Sequence, residues 1–250
     1  MVASLIRRVV PERFRPIGYL THLVRCRTGG QVSSGPFTGM RYVDNSIGSA
    51  YLPKLLGIYE RELAPRVEEA CSRGPALIVD IGAAEGYYAI GLARRNPQAA
   101  VVAFEMEEKG REALVEMARL NEVAGRVRIC GKCEPDDLQT ALAQAVSPLV
   151  ICDVEGYEGK LLNPLEVPAL IGAFILAEMH DFLLPGISEE LQKRFAMSHK
   201  VKTIWQEDRS LADFPYQTIG TTLLPKSYLH WAVSEWRPVR MSWLWMEPND

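Results

Sequence analysis

The 250 residues are enough for one sizeable α/β domain with an added subdomain, and the 48% apolar fraction can fill its core. With 28 basic and 31 acidic side chains the net charge is −3, which excludes general attraction to a phosphate backbone; no nucleic-acid partner is expected. No stretch approaches the roughly 18 apolar residues needed to span a bilayer, so no membrane partner is expected either.

The chain begins MVASLIRRVVPERF, three arginines around a short apolar core. Val9-Val10-Pro11 is too little for a secretory core, so the expected compartment is cytoplasmic; residues 2–10 offer at most a surface-lying amphipathic segment. Gly29-Gly30, Ser33-Ser34-Gly35-Pro36 and Gly39 then make a stretch rich in turns. Residues 51–72, YLPKLLGIYERELAPRVEEACS, read as helical, with Leu55, Leu56, Tyr59, Leu63 and Val67 in one apolar stripe that Pro65 divides or kinks. Residues 1–75 are therefore expected to be an N-terminal extension and substrate cap, and residues 76–250 the main domain.

After residue 75 strands and helices alternate. Strands are predicted at 76–81, 100–105, 126–130, 148–153 and 172–178. Helices are predicted at 86–95, 108–121, 135–145, 157–162 and 187–197. The strands are continuous apolar runs, as expected when both faces of a sheet are covered. The fold class is thus α/β, a doubly wound, mostly parallel seven-stranded sheet of Rossmann-like type. Strands at 200–206, 229–235 and 241–246 are expected to close its far side. Five cysteines, an odd number, argue against a disulfide framework. Cys130-Gly-Lys-Cys133 matches CxxC but lacks a second ligand pair for zinc and the helix start of a redox site, so both read as ordinary thiols in a reducing compartment.

Between the first strand and helix lies DIGAAEG, residues 80–86. Open α/β sheets bind ligands at the carboxyl ends of their strands. A dinucleotide fingerprint would place a glycine where Ala84 stands, to let the backbone approach a pyrophosphate, and Asp80 and Glu85 would repel phosphate. A cationic, phosphate-free nucleoside turns both features into advantages, and S-adenosylmethionine is such a molecule. Glu105, closing the second strand, is placed to accept hydrogen bonds from both ribose hydroxyls. The expected donor contacts are Asp80, Gly82, Ala84, Glu85, Gly86, Glu105 and Asp153. The alternative is that Asp80 and Glu85 merely satisfy turn amides and the helix N-terminus.

On these residues the chain resembles class I S-adenosylmethionine-dependent methyltransferases, and more narrowly the FkbM-type enzymes. Their DxGxxxG loop matches Asp80 to Gly86, and their D-x-E-G-x-E signature matches Asp153-Val154-Glu155-Gly156-Tyr157-Glu158. The likeness covers roughly residues 76–182, and the family commonly has asparagine where this chain has Ala84. It implies methyl transfer, mainly to hydroxyls of sugar-containing or polyketide metabolites. It also implies Mg²⁺ at the fourth and fifth strand ends in some members.

Asp153 ends the fourth strand, and Glu178 and His180 lie at the end of the fifth, on one side of it if the strand reaches that far. The three are the expected catalytic residues. As O, O and N donors they could also hold Mg²⁺ or another divalent cation. His180 has three readings: general base toward a hydroxyl, metal ligand, or structural histidine. Glu155 and Glu158 divide between pocket and helix N-terminal charge. Phe37, Arg41, Tyr42 and Tyr157 are candidates to face a small-molecule acceptor, and the tryptophan-rich end offers a seam for a homodimer. The competing functions are N- or C-methylation, a donor-binding scaffold without catalysis, a nucleic-acid methyltransferase and, least favoured, a dehydrogenase.

Overall fold

The computed structural model describes residues 15–44 and 46–249; the segment 2–10 lies outside them. Seven strands form one sheet: β1 (Leu77–Ile81), β2 (Ala100–Phe104), β3 (Val127–Cys130), β4 (Leu149–Cys152), β5 (Phe174–Met179), β6 (His199–Trp205) and β7 (Ser242–Pro248). Their spatial order is β3-β2-β1-β4-β5-β7-β6. The first five are parallel, and β7 runs antiparallel between β5 and β6. The strand order reverses between β1 and β4, the place where such sheets open a crevice above their carboxyl ends.

The central strands β1, β2, β4 and β5 are largely apolar because both faces are covered, whereas the edge strand β6 exposes Lys200 and Lys202. Val79 and Ile81 of β1 pack with Leu138 and Leu142 of a helix at Pro135–Leu142 and with Leu191 and Phe195 of another at Ile187–Phe195. The alternate residues Ile78, Val101 and Ala103 point the other way along their strands and are equally buried. A helix follows each of the five parallel strands, as the sequence pattern predicts. Among the described residues the α-helices, in chain order, are α1 (Pro16–Thr28), α2 (Tyr51–Leu56), α3 (Ala64–Arg73), α4 (Tyr87–Arg95), α5 (Glu108–Leu120), α6 (Pro135–Leu142), α7 (Glu158–Leu161), α8 (Ile187–Phe195), α9 (Ile219–Leu223) and α10 (Lys226–Val233).

Two expectations need correction. Residues 229–235 are not a strand: they fall mostly within α10, which follows Pro225 and buries Ala232 and Val233. The helical stripe over 51–72 is broken. Gly57, left-handed at φ 73°, ends α2, and Pro65 sits in the first turn of α3, where its missing N–H costs nothing, so it starts a helix rather than kinking one. A Cβ on Gly57 would lie 2.0 Å from the carbonyl oxygen of Ser34, which holds that break in place.

The chain forms two compact units, divided otherwise than at residue 75. One comprises the described residues through Arg61 together with Glu207–Trp236; the other, holding the whole sheet, comprises Glu62–Gln206 and the described residues from Arg237 onward. The first unit is therefore built from the N-terminal segment and an excursion between β6 and β7. Within it, α10 packs on α1 and α2. The Arg209–Glu235 ion pair is fully buried. Arg209 Nε donates to the carbonyl of Ile58 at 2.9 Å, and Glu235 Oε1 accepts the Glu60 N–H at 3.0 Å. Among the described residues no helix is long and apolar enough to cross a membrane.

Candidate active site

The loop from β1 to α4 turns under constraint. Gly82 and Gly86 are left-handed (φ 82° and 99°), and so is Ala84 (φ 47°). A Cβ on Gly82 would lie 1.7 Å from the Asp153 carbonyl oxygen, so only glycine lets this loop pass the end of β4. The amides of Gly82 and Ala83 donate to the Phe104 carbonyl at 2.9 and 3.0 Å, tying the loop to the end of β2. There Glu105 is buried, and its carboxylate accepts the Ala84 N–H at 2.7 Å and the Glu107 N–H at 2.7 Å. Each carboxylate oxygen retains a further lone pair. Gly110 on α5 leaves room for this side chain: a Cβ there would lie 2.7 Å from Glu105 Cγ. Asp80 and Glu85 are both buried beside the loop.

At the ends of β4 and β5 a second group assembles. Asp153 continues the ladder, its N–H donating to the Ile81 carbonyl at 2.9 Å. The next residues form a tight turn in which Glu155 (φ 50°) and Gly156 (φ 99°) are both left-handed. For a glutamate that conformation costs about 1–2 kcal/mol, strain of the kind that collects at functional turns. His180 is buried, and its Nδ1 donates to Glu158 Oε1 at 2.7 Å. Its Nε2 lies 3.6 Å from Asp153 Oδ1 and 3.5 Å from Glu155 Oε2. Burial pulls the basicity of His180 down, but the bond to Glu158 and the charges of Glu158, Asp153 and Glu155 outweigh it, and the net displacement is upward. Burial pushes Glu158 up, yet His180 and the backbone amides that bond it bring it below its ordinary value.

Asp153 and His180 thus come together, whereas Glu178 stands apart from them. Glu178 forms an ion pair with Arg237, whose guanidinium lies over the Trp243 ring at 5.1 Å. The reason is local: β5 ends at Met179, so His180 is already beyond the pleat and strand alternation no longer aligns it with Glu178. The third acid is Glu155. One ligand atom each from Asp153, Glu155 and His180 lie within 4.8 Å of one another, an O, O, N set able to take a divalent cation. The sequence did carry a signal for this, since Asp153, Glu155 and Glu158 are the three acids of the D-x-E-G-x-E run. What it lacked was their common partner. Tyr157 donates from its hydroxyl to Glu134 at 2.7 Å, flanked by Lys132 and Lys160. Phe37 and Tyr42 are buried within the first unit, and Arg41 is exposed there.

A seven-stranded, mostly parallel α/β sheet of Rossmann-like type, with its acids at the strand carboxyl ends, is thereby defined. No family model matches the chain, and no curated protein sequence matches it. Solved structures similar to it include an O-methyltransferase from Bacillus cereus in complex with SAH (14% identity, TM-score 0.49, covering 99% of this chain and 97% of that one). Others are the O-methyltransferase TomG from Streptomyces achromogenes in complex with SAM (15%, 0.48, 98% and 96%) and the SAH-bound methyltransferase PaMTH1 of Podospora anserina (16%, 0.48, 100% and 94%). Likeness of this degree assigns no activity to this chain.

Proposed function

We propose that the protein transfers a methyl group from S-adenosylmethionine to a hydroxyl of a small molecule or sugar-containing metabolite. The observation that carries this reading is the 2.7 Å bond from Ala84 N–H to Glu105 Oε2, which joins the glycine loop to the acid that this reading assigns to the ribose. The donor set there fits the ligand: Asp80, Glu85 and Glu105 suit an ammonium, a sulfonium and two ribose hydroxyls, and disfavour a pyrophosphate. Asp153, at the adjoining strand end, stands where donor and acceptor would meet. In this reading the acceptor oxygen attacks the sulfonium methyl in line, the C–S bond breaks, and S-adenosylhomocysteine leaves with the sulfur electron pair. Alignment of the two reactants is worth about 7–11 kcal/mol in well-oriented cases. His180 Nε2, beside Asp153 and Glu155, takes the hydroxyl proton.

Asp153, Glu155 and His180 also suit Mg²⁺ or a similar cation, which would supply Lewis-acid stabilisation of the developing alkoxide. The two roles of His180 exclude one another, because Nε2 has one lone pair for a proton or for a metal. Calorimetric titration with S-adenosylmethionine, followed by mass spectrometry of hydroxylated metabolites incubated with labelled donor, tests the proposal. Heat of binding and a mass gain of one methyl group are expected; well-folded protein that gives no heat would refute it. Chelation separates the two roles: a metal-dependent enzyme stops in EDTA and recovers with Mg²⁺, whereas a histidine base works on. The narrower FkbM-type assignment rests on the Asp80–Gly86 loop and the Asp153–Glu158 run.

A further inference from the structure

The hydrogen bonds of Glu158 go to Val154, Gly156 and His180 and not to the β1–α4 loop, and it has no place among the three grouped ligand atoms, yet it is completely buried. A carboxylate removed from water is retained only where donors compensate it. Three converge on its Oε1: His180 Nδ1 at 2.7 Å, the Gly156 N–H at 3.2 Å and the Val154 N–H at 3.3 Å. Its other oxygen is buried with no hydrogen-bond partner among the described residues. The groups facing the opposite edge of the ring, Asp153 and Glu155, stand beyond hydrogen-bond length from Nε2, so the short hydrogen bond of the ring is the one to Glu158. In a neutral imidazole the bond made by one nitrogen sets which nitrogen carries the hydrogen.

We propose that Glu158 is a positioning residue that fixes His180 as the Nδ1–H tautomer and so turns the Nε2 lone pair toward Asp153 and Glu155. The consequence for turnover rests on the methyltransferase reading; the tautomer rests on the geometry alone. Either use of Nε2, as proton acceptor or as ligand, needs that lone pair free, and Glu158 secures it without touching the reacting atoms. Glu158 also bonds the two amides of the strained turn, so its loss loosens Glu155 as well.

The test is two-bond ¹H–¹⁵N correlation on the full chain with ¹⁵N-labelled histidine, in EDTA and in alkaline buffer where the ring is neutral. The His180 signal among the four histidines is assigned from a His180→Asn sample. The parent should show a protonated Nδ1 and a bare Nε2, Glu158→Gln should keep that pattern through its amide oxygen, and Glu158→Ala should lose it. With S-adenosylmethionine and a cell extract as acceptor source, Glu158→Ala should cut kcat by about 10- to 100-fold while the donor KM stays within about twofold. Glu158→Gln should recover part of the rate. A parent with Nε2 protonated, or an Ala variant with an unchanged tautomer, overturns the proposal. Should Glu158→Ala fail to fold, the parent's own tautomer still decides. A parent that shows the Nδ1–H form but neither binds donor nor releases S-adenosylhomocysteine removes the methyltransferase reading and leaves the tautomer standing.

Discussion

Glu105 is a scaffold for the glycine loop, and the proposed function asks it to bind the ribose as well. Its two oxygens already hold the amides of Ala84 and Glu107, so it shapes the loop before any ligand arrives. Hydrogen bonds to a charged group contribute about 1.5–3 kcal/mol each. Glu105→Gln removes the charge and, because its NH2 cannot accept, one of the two amide bonds as well; it should weaken S-adenosylhomocysteine binding by roughly 10- to 100-fold in calorimetry. An unchanged affinity would remove the ribose contact. Asp153 differs, because its side chain is 42% exposed and its N–H, not its carboxylate, extends the β1–β4 ladder. Asp153→Asn should therefore keep its melting temperature within about 2 °C while S-adenosylhomocysteine release falls by at least about tenfold. Equal turnover in variant and parent would take Asp153 out of the chemistry.

Among the elements, the β1–α4 loop and β4 are locked together at Gly82. An alanine there would face a left-handed backbone and a Cβ 1.7 Å from the Asp153 carbonyl oxygen. Strain and overpacking together should cost about 2–5 kcal/mol, read as a lowered urea midpoint. A variant as stable as its parent would show that the loop does not pass so close to β4. At the far side of the sheet, His199 opens β6, with Nε2–H donating to the Ala173 carbonyl at 3.0 Å. Burial lowers its basicity against the opposing effect of backbone carbonyls, so the folded chain favours the neutral ring. Its contribution to stability is then complete above the ordinary value of 6.5 and is lost as pH falls from there through the lowered folded value. Denaturation midpoints between about pH 7 and pH 5 should fall more steeply for the parent than for His199→Gln, which keeps a donor for Ala173. Coincident profiles would mean that the ring is not buried neutral.

For the whole molecule, the main organisational fact is that the first unit draws on two distant stretches of chain. The buried Arg209–Glu235 pair closes the second stretch on itself and ties it to the first, Arg209 reaching the Ile58 carbonyl and Glu235 the Glu60 N–H. Removing one member of a buried pair leaves the other charge uncompensated, at a cost of about 3–5 kcal/mol. Glu235→Ala should destabilise by that amount in urea denaturation, and the double variant Arg209→Met with Glu235→Leu by less, its remaining cost being the bonds lost to the Ile58 carbonyl and the Glu60 N–H. Equal losses in the two would mean that packing, not the stranded charge, holds the segments.

Local patterning made much of this protein legible. Apolar runs such as LIV, which opens β1, and LVIC mark strands buried on both faces, and DIGAAEG marks the turn between the first of them and its helix, because these features depend on neighbours in sequence. The short run LHWAV at 229–233 shows the limit: apolar and brief, it fits a buried strand or a helix equally, and packing against α1 and α2 decides for the helix. The site divides in the same way. Acids at strand ends can be read from the chain, but which acid meets His180 depends on where β5 stops and on Arg237 capturing Glu178 from 59 residues away. Residue spacing fixes the order of the strands' ends; only the folded backbone fixes the few ångströms and the left-handed turn that bring Glu155 and Glu158 to one imidazole.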